Sequence, residues 1–204
     1  MRLQMYGAIS NPAVSVYFSK KSNPRIMNDM SYMVELGNPV LRQIADPVDD
    51  TFSKETRAII ERMMQTLDEQ RGIGIAAPQI GVSKQIFIVA PNQELQPPYD
   101  IVDTGLVVIN PKITQNNVAV THEWEGCLSI PGIRGLVPRS CDITIEYTNV
   151  HGEFRSERYT DFTARIFLHE FDHLIGTVFI DRIENLKEHL ITDATYMKMM
   201  EDDE

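Results

Sequence analysis

The chain has 204 residues, 43% of them apolar and 24% charged, with 19 basic against 29 acidic side chains and a formal charge of −10. That length fits one domain with a real core, and the composition is that of a globular protein rather than a disordered one. The acidic balance, with no basic stripe interleaved with aromatics, disfavours direct nucleic-acid binding, and apolar runs such as Ile86 to Ala90 are too short to span a bilayer.

The first 28 residues hold Arg2, Lys20, Lys21 and Arg25 but no Asp or Glu. They lack a periodic apolar face, and Asn11-Pro12 and Asn23-Pro24 favour turns. Residues 1–29 are therefore expected to be a disordered extension. Either the true start is Met27, Met30 or Met33, or the segment is an organellar transit peptide. Residues 30–204 are expected to form a single catalytic domain. Two cysteines, Cys127 and Cys141, and no apolar secretory run point to a reducing compartment. The expected location is the cytoplasm, or an organelle if the extension is a transit peptide.

From about Thr51 to Gln70, Ile59, Ile60, Met63, Met64 and Leu67 recur at helical spacing, and Gly72 supplies a stop. The stretch Gly72 to Gln79, with two glycines and a proline, reads as a loop. Short strands are expected at Lys84 to Ala90 and Gly105 to Ile109. Apolar alternation at 141, 143, 145 and 147, turn residues at Asn149 to Gly152 and a second strand near Phe154 to Tyr159 predict a hairpin. A helix from about Asp161 to Leu174 ends at Gly176, and a further apolar periodicity runs through Ile183, Leu186, Leu190 and Ile191. This order suggests an α+β fold with mostly antiparallel sheet.

His169-Glu170-Phe171-Asp172-His173 matches H-E-x-x-H inside the last predicted helix. Residues four apart lie one turn above each other, so both imidazoles face one side and can bind one cation, with Glu170 placed to accept a proton rather than to ligate. Alone, such a pattern also arises by chance on a solvated helix face. For a third ligand, the extended zinc-peptidase motif would need histidine where Phe179 stands, and Glu184, Glu188 and Glu201 have no recognisable setting. Cys127 is the better candidate, since a thiolate and two imidazoles leave a coordination position open for water. A lone cysteine is ordinarily a buried structural thiol. That reading is expected for Cys141, in register with the apolar face of its strand, whereas Cys127 follows a glycine and carries no such alternation.

Three blocks, G-x-G-x-A-A-P-Q at Gly72 to Gln79, E-G-C-L-S at Glu125 to Ser129 and H-E-x-D-H-x-x-G at His169 to Gly176, resemble the signature motifs of peptide deformylases, in the family's order. The resemblance runs from about Val34 to Ile183 and includes Gly37 to Arg42 and Arg134. Two features depart from it: Leu168 stands where glutamine often precedes the first histidine, and the N-terminal extension has no counterpart.

The resemblance implies antiparallel sheets packed around a central helix that carries H-E-x-x-H, with a C-terminal helix. It assigns one divalent metal to Cys127, His169 and His173, usually Fe2+, with Zn2+, Ni2+ or Co2+ as substitutes. The implied reaction removes the formyl group from the N-terminal formyl-methionine of new proteins by attack of a metal-bound water. Glu170 would take the water's proton and deliver it to the departing amine. The Gln79 amide and the Leu128 backbone N–H would stabilise the oxyanion. Gly74 would let the peptide approach as an added strand, and Arg134 is a further substrate-binding position. Phe162 and Ile166, on the ligand face of the helix, would line a pocket for the methionine side chain, although core packing explains that pattern almost as well. Glu125 and Arg139 would pair to brace the cysteine stretch. The implied partners are N-formyl-methionyl nascent peptides, met in transient association with the ribosome, and the expected state is a monomer without membrane contact. The rivals are a metallopeptidase of another fold and a silent relative kept as a binding module, which should lack Glu170 or a ligand.

Overall fold

The structure, a computed structural model, describes residues 33–90, 101–102, 105–116 and 119–202. The disordered extension expected at 1–29 lies outside the described residues. Ser53 opens the first helix, α1 (Lys54–Gln70), by accepting the Thr56 N–H at 3.0 Å, which satisfies a donor that a helix start leaves unpaired. Ile60, Met63, Met64 and Leu67 form its buried stripe. Its left-handed cap is Arg71, at φ 51°, one residue before the glycine expected to stop it.

The stretch read as a loop is instead a strand, β1 (Gly74–Ala76), followed by a 3-10 turn at Ala77–Ile80. Its glycine and proline content misleads because burial decides the matter: Ile75, Ala76 and Ala77 are all fully buried. β1 pairs antiparallel with β2 (Ile86–Val89), setting Gly74 opposite Val89. Such tertiary pairing overrides weak local propensity. A short β3 (Ile101–Val102) pairs with β4 (Gly105–Asn116), which runs beyond the strand expected at 105–109. A bulge carries it on, where Asn110 at φ 51° hydrogen-bonds both the N–H and the carbonyl of Val48.

The predicted hairpin forms as β7 (Asp142–Thr148) and β8 (Phe154–Thr160). These strands complete an antiparallel sheet in the order β1-β2-β4-β7-β8, with β3 on β4. A second antiparallel sheet holds β5 (Val120–Cys127), β6 (Ile130–Ser140) and β9 (Leu190–Thr192), in the order β5-β6-β9. Cys141 corrects an expectation: it lies half-buried at the bend between β6 and β7, its thiol donating to the Ala119 carbonyl at 3.5 Å. The buried alternation of β7 begins only at Ile143.

The central helix, α2 (Asp161–Leu174), is buried along most of its length and packs against strands of both sheets. Phe167 anchors it, edge-on to Phe87 at 5.4 Å and stacked on Tyr159 at 4.1 Å. A smaller cluster of Ile130, Val137, Val178, Phe179 and Ile183 fills the space under the second sheet. The periodicity from Ile183 to Ile191 is not one helix. A 3-10 turn at Phe179–Arg182 precedes Ile183, and β9 takes up Leu190 and Ile191 before the C-terminal helix, α3 (Asp193–Asp202). Among the described residues no helix is long and apolar enough to cross a membrane.

Candidate metal centre

The fold brings together three donors from distant parts of the chain. Ligand atoms of Cys127, His169 and His173 all lie within 4.8 Å of one another. His169 and His173 stand one turn apart on α2, their rings 5.3 Å from centroid to centroid. Cys127 ends β5, where the register with β6 breaks after Glu125, and such irregularities re-aim a side chain. Its Sγ lies 3.4 Å from His173 Nε2.

Behind the donors runs a buried ionic network. Glu125 accepts from His169 Nδ1 at 2.9 Å, from Arg139 at 2.7 and 3.0 Å, and from Arg165 at 2.7 Å. Arg139, itself buried, also donates to Asp172 at 2.8 Å, and Arg182 holds the far side of Asp172 at 2.6 Å. A carboxylate on Nδ1 fixes that nitrogen as the donor and leaves Nε2 free to ligate. Burial works to raise the Glu125 carboxyl, but the His169 hydrogen bond and the Arg139 charge win and hold it well below the ordinary carboxylate range.

The donor set fits a divalent cation. Burial works to lower the affinity of His169 for a proton, yet hydrogen bonds to Cys127 and Glu125 raise it well above the ordinary imidazole range. The fit rests on the donors themselves, since a thiolate and two imidazoles are the ligands that such cations take in three-ligand sites. His173 is pushed the other way, first by burial and then by the positive charges of His169 and Arg139. That shift favours the neutral form, the one in which an imidazole can ligate.

Glu170 is 3% exposed, and its Oε2 has no hydrogen-bond partner among the described residues. Burial pushes its carboxyl up to about 7, against the opposing charges of His169 and Arg139. Opposite it, a Cβ on Gly74 would lie 2.9 Å from the Glu170 Cδ. Gln79 is 1% exposed, and its Oε1 accepts from the Ala76 N–H at 2.8 Å. Its Nε2 is thereby aimed at Cys127 Sγ, 3.5 Å away, and at Ser129 Oγ, 3.4 Å away. Leu128 sits in the turn that follows Cys127.

Other expected positions fall further out. Arg134 pairs with Asp193 at 2.6 Å, lies 5.3 Å from the Tyr196 ring centroid and packs on Gly126, the residue before Cys127. Ile166 belongs to the main core, whereas Phe162, in the first turn of α2, is 46% exposed. Arg165 and Arg182 carried no expectation, and Asp172 was visible only as a letter of the third motif. Arg165 offered one signal, a charge inside the otherwise apolar run Ala164 to Leu168. Ser129 is fully buried against Gln79 but was visible only as the last letter of a motif.

A family model for polypeptide deformylase matches residues 30–189. Peptide deformylase 2 of Nostoc sp. is 42% identical over 168 residues, 82% of this chain and 93% of that protein. A Synechococcus elongatus peptide deformylase crystallised with actinonin superposes with a TM-score of 0.69 at 37% identity, covering 78% of this chain and 81% of its own. The Acinetobacter baumannii enzyme with Met-Ala-Ser bound gives 0.66 at 35% identity, covering 76% of this chain and all of its own.

Proposed function

The chain belongs to the peptide deformylase family, and from that membership we propose that it hydrolyses the formamide of N-formyl-methionyl peptides to formate and a free amine. The observation that carries the proposal is a buried Glu170 carboxylate, its Oε2 without a hydrogen-bond partner among the described residues, on the same helix as two of three converging donors. Cys127 Sγ and one ring nitrogen each of His169 and His173 would hold the cation, proposed as Fe2+ with Zn2+, Ni2+ or Co2+ as substitutes. Such an ion polarises a carbonyl and acidifies water near neutral pH.

The chain's own groups do the rest. Glu125 keeps the His169 ring in its ligating tautomer. Glu170 takes a proton from the attacking water at its carboxylate, the water oxygen bonds to the formyl carbon, and the C–N bond breaks as the proton passes to the leaving nitrogen. Gln79 Nε2 and the Leu128 N–H donate to the formyl oxygen as charge develops on it, a role whose loss typically costs about a hundredfold to a thousandfold in rate. Gln79 needs no rearrangement for this, because Ala76 already holds its other end.

β1 is an edge strand, and a peptide can add to such an edge in extended form. Phe162 and Ile166 are proposed to meet the methionine side chain and Arg134 the rest of the peptide. The relative with Met-Ala-Ser bound supports a substrate that begins with methionine. The proposed substrates are nascent chains, met at the ribosome in the cytoplasm or an organelle. Protein purified without oxygen and loaded with Fe2+ should release formate from formyl-Met-Ala. Release of free methionine from unformylated Met-Ala-Ser, without formate release from the formyl peptide, would favour the metallopeptidase reading instead.

A further inference from the structure

Gly74 opens β1 with a backbone that does not ask for glycine. Among the described residues the glycines at positive φ are Gly37, Gly81, Gly132, Gly152 and Gly176, and Gly74 is not one of them. A glycine inside a strand is less stable than alanine, through greater loss of backbone freedom, so something else must favour the missing side chain. Space does. A Cβ at this position would lie 2.9 Å from Cδ and 3.0 Å from Cγ of Glu170, and closer still to Oε1.

The overlap would fall on the end of the Glu170 side chain, which has to shift because the strand does not. β1 is fixed by its pairing with β2, and Ile75 and Ala76 behind Gly74 are fully buried. Glu170 sits on the buried helix α2 between the two histidines. Its Oε2 has no hydrogen bond among the described residues, and the end of the side chain packs on Gly74. We propose that Gly74 is a positioning residue for Glu170, its bare Cα forming the seat that aims the carboxylate at the attacking water. This rests on the reading of Glu170 as proton acceptor, and it differs from a role in admitting the substrate backbone. A seat for the base acts on kcat, whereas room for the peptide acts on KM.

The test compares Gly74→Ala, Glu170→Asp and the double variant, each loaded with metal and assayed for formate release with metal content measured. Gly74→Ala should lower kcat about a hundredfold, as a misplacement of about 1 Å can, while KM and metal content stay within about twofold. The aspartate of Glu170→Asp is one methylene shorter and withdraws from the added Cβ. The double variant should therefore turn over no more slowly than Glu170→Asp alone, the non-additivity of two groups in contact. If the Gly74→Ala protein does not fold, the double variant relieves the overlap and its kcat against Glu170→Asp still decides. A raised KM with kcat kept, or penalties that multiply in the double variant, would overturn the proposal. Wild-type turnover in metal-loaded Glu170→Ala would remove the proton-acceptor reading itself, a separate outcome that the Gly74 series does not produce.

Discussion

Cys127 and Cys141 are chemically identical, and their surroundings separate them. The thiol of Cys127 lies within 4.8 Å of ring nitrogens of two imidazoles, while Cys141 is half-buried at a bend with its thiol on a surface carbonyl. Cys127→Ser should lose metal or activity severely, because a hydroxyl is a far poorer ligand at neutral pH. Since Cys141 is outside the core, Cys141→Ser should change stability by no more than about 0.5 kcal/mol. Metal content, formate release and denaturant midpoints of both variants decide this, and metal loss from Cys141→Ser alone would mean the third ligand is misassigned. Glu170→Ala should keep its metal while formate release falls about a hundredfold to ten-thousandfold, the usual contribution of a positioned acid or base.

The β5–β6 hairpin carries the cysteine and α2 carries the histidines, and two guanidiniums dock one on the other. Arg139 bridges Glu125 on β5 and Asp172 on α2, and Arg165 reaches from α2 to Glu125 and to the carbonyls of Thr121 and Val137. Arg139→Met would leave two buried carboxylates short of a partner, at a cost of about 3 kcal/mol or more. Metal affinity should weaken with it, checked by chemical denaturation and by metal competition with a chromophoric chelator. A variant that keeps both would show that the network is dispensable. This docking was scarcely legible in the sequence, because its partners are far apart in the chain and no local period joins them. The convergence of His169 and His173 was legible, since a helical spacing of four fixes both on one side. β7 was legible because its inner face is Ile143, Ile145 and Tyr147, all buried. β5 was not, because Val120 to Glu123 are all exposed and give no apolar alternation. β6, interrupted by Pro131, Gly132, Gly135 and Pro138, reads locally as turns and is held as a strand by β5 and β9.

At the scale of the whole molecule, the family match begins at residue 30, next to the segment with four basic side chains and no acidic one before Asp29. We propose that deleting residues 1–29 leaves formate release and thermal stability nearly unchanged, and a large fall in either would show that the segment packs on the domain. The three donors have a different molecular consequence. Cys127 and His173 are 46 positions apart, and their approach exists only when the hairpin and α2 have met. An ion held by all three is thus a removable cross-link between two parts of the fold. Anything that binds the native state alone stabilises it by about 2.7 kcal/mol at a hundred times its dissociation constant. The melting temperature of this chain should therefore rise with the logarithm of free metal in chelator-buffered solutions. Cys127→Ser should flatten that rise, so that the thermal transition of the parent protein serves as a gauge of the metal supply around it.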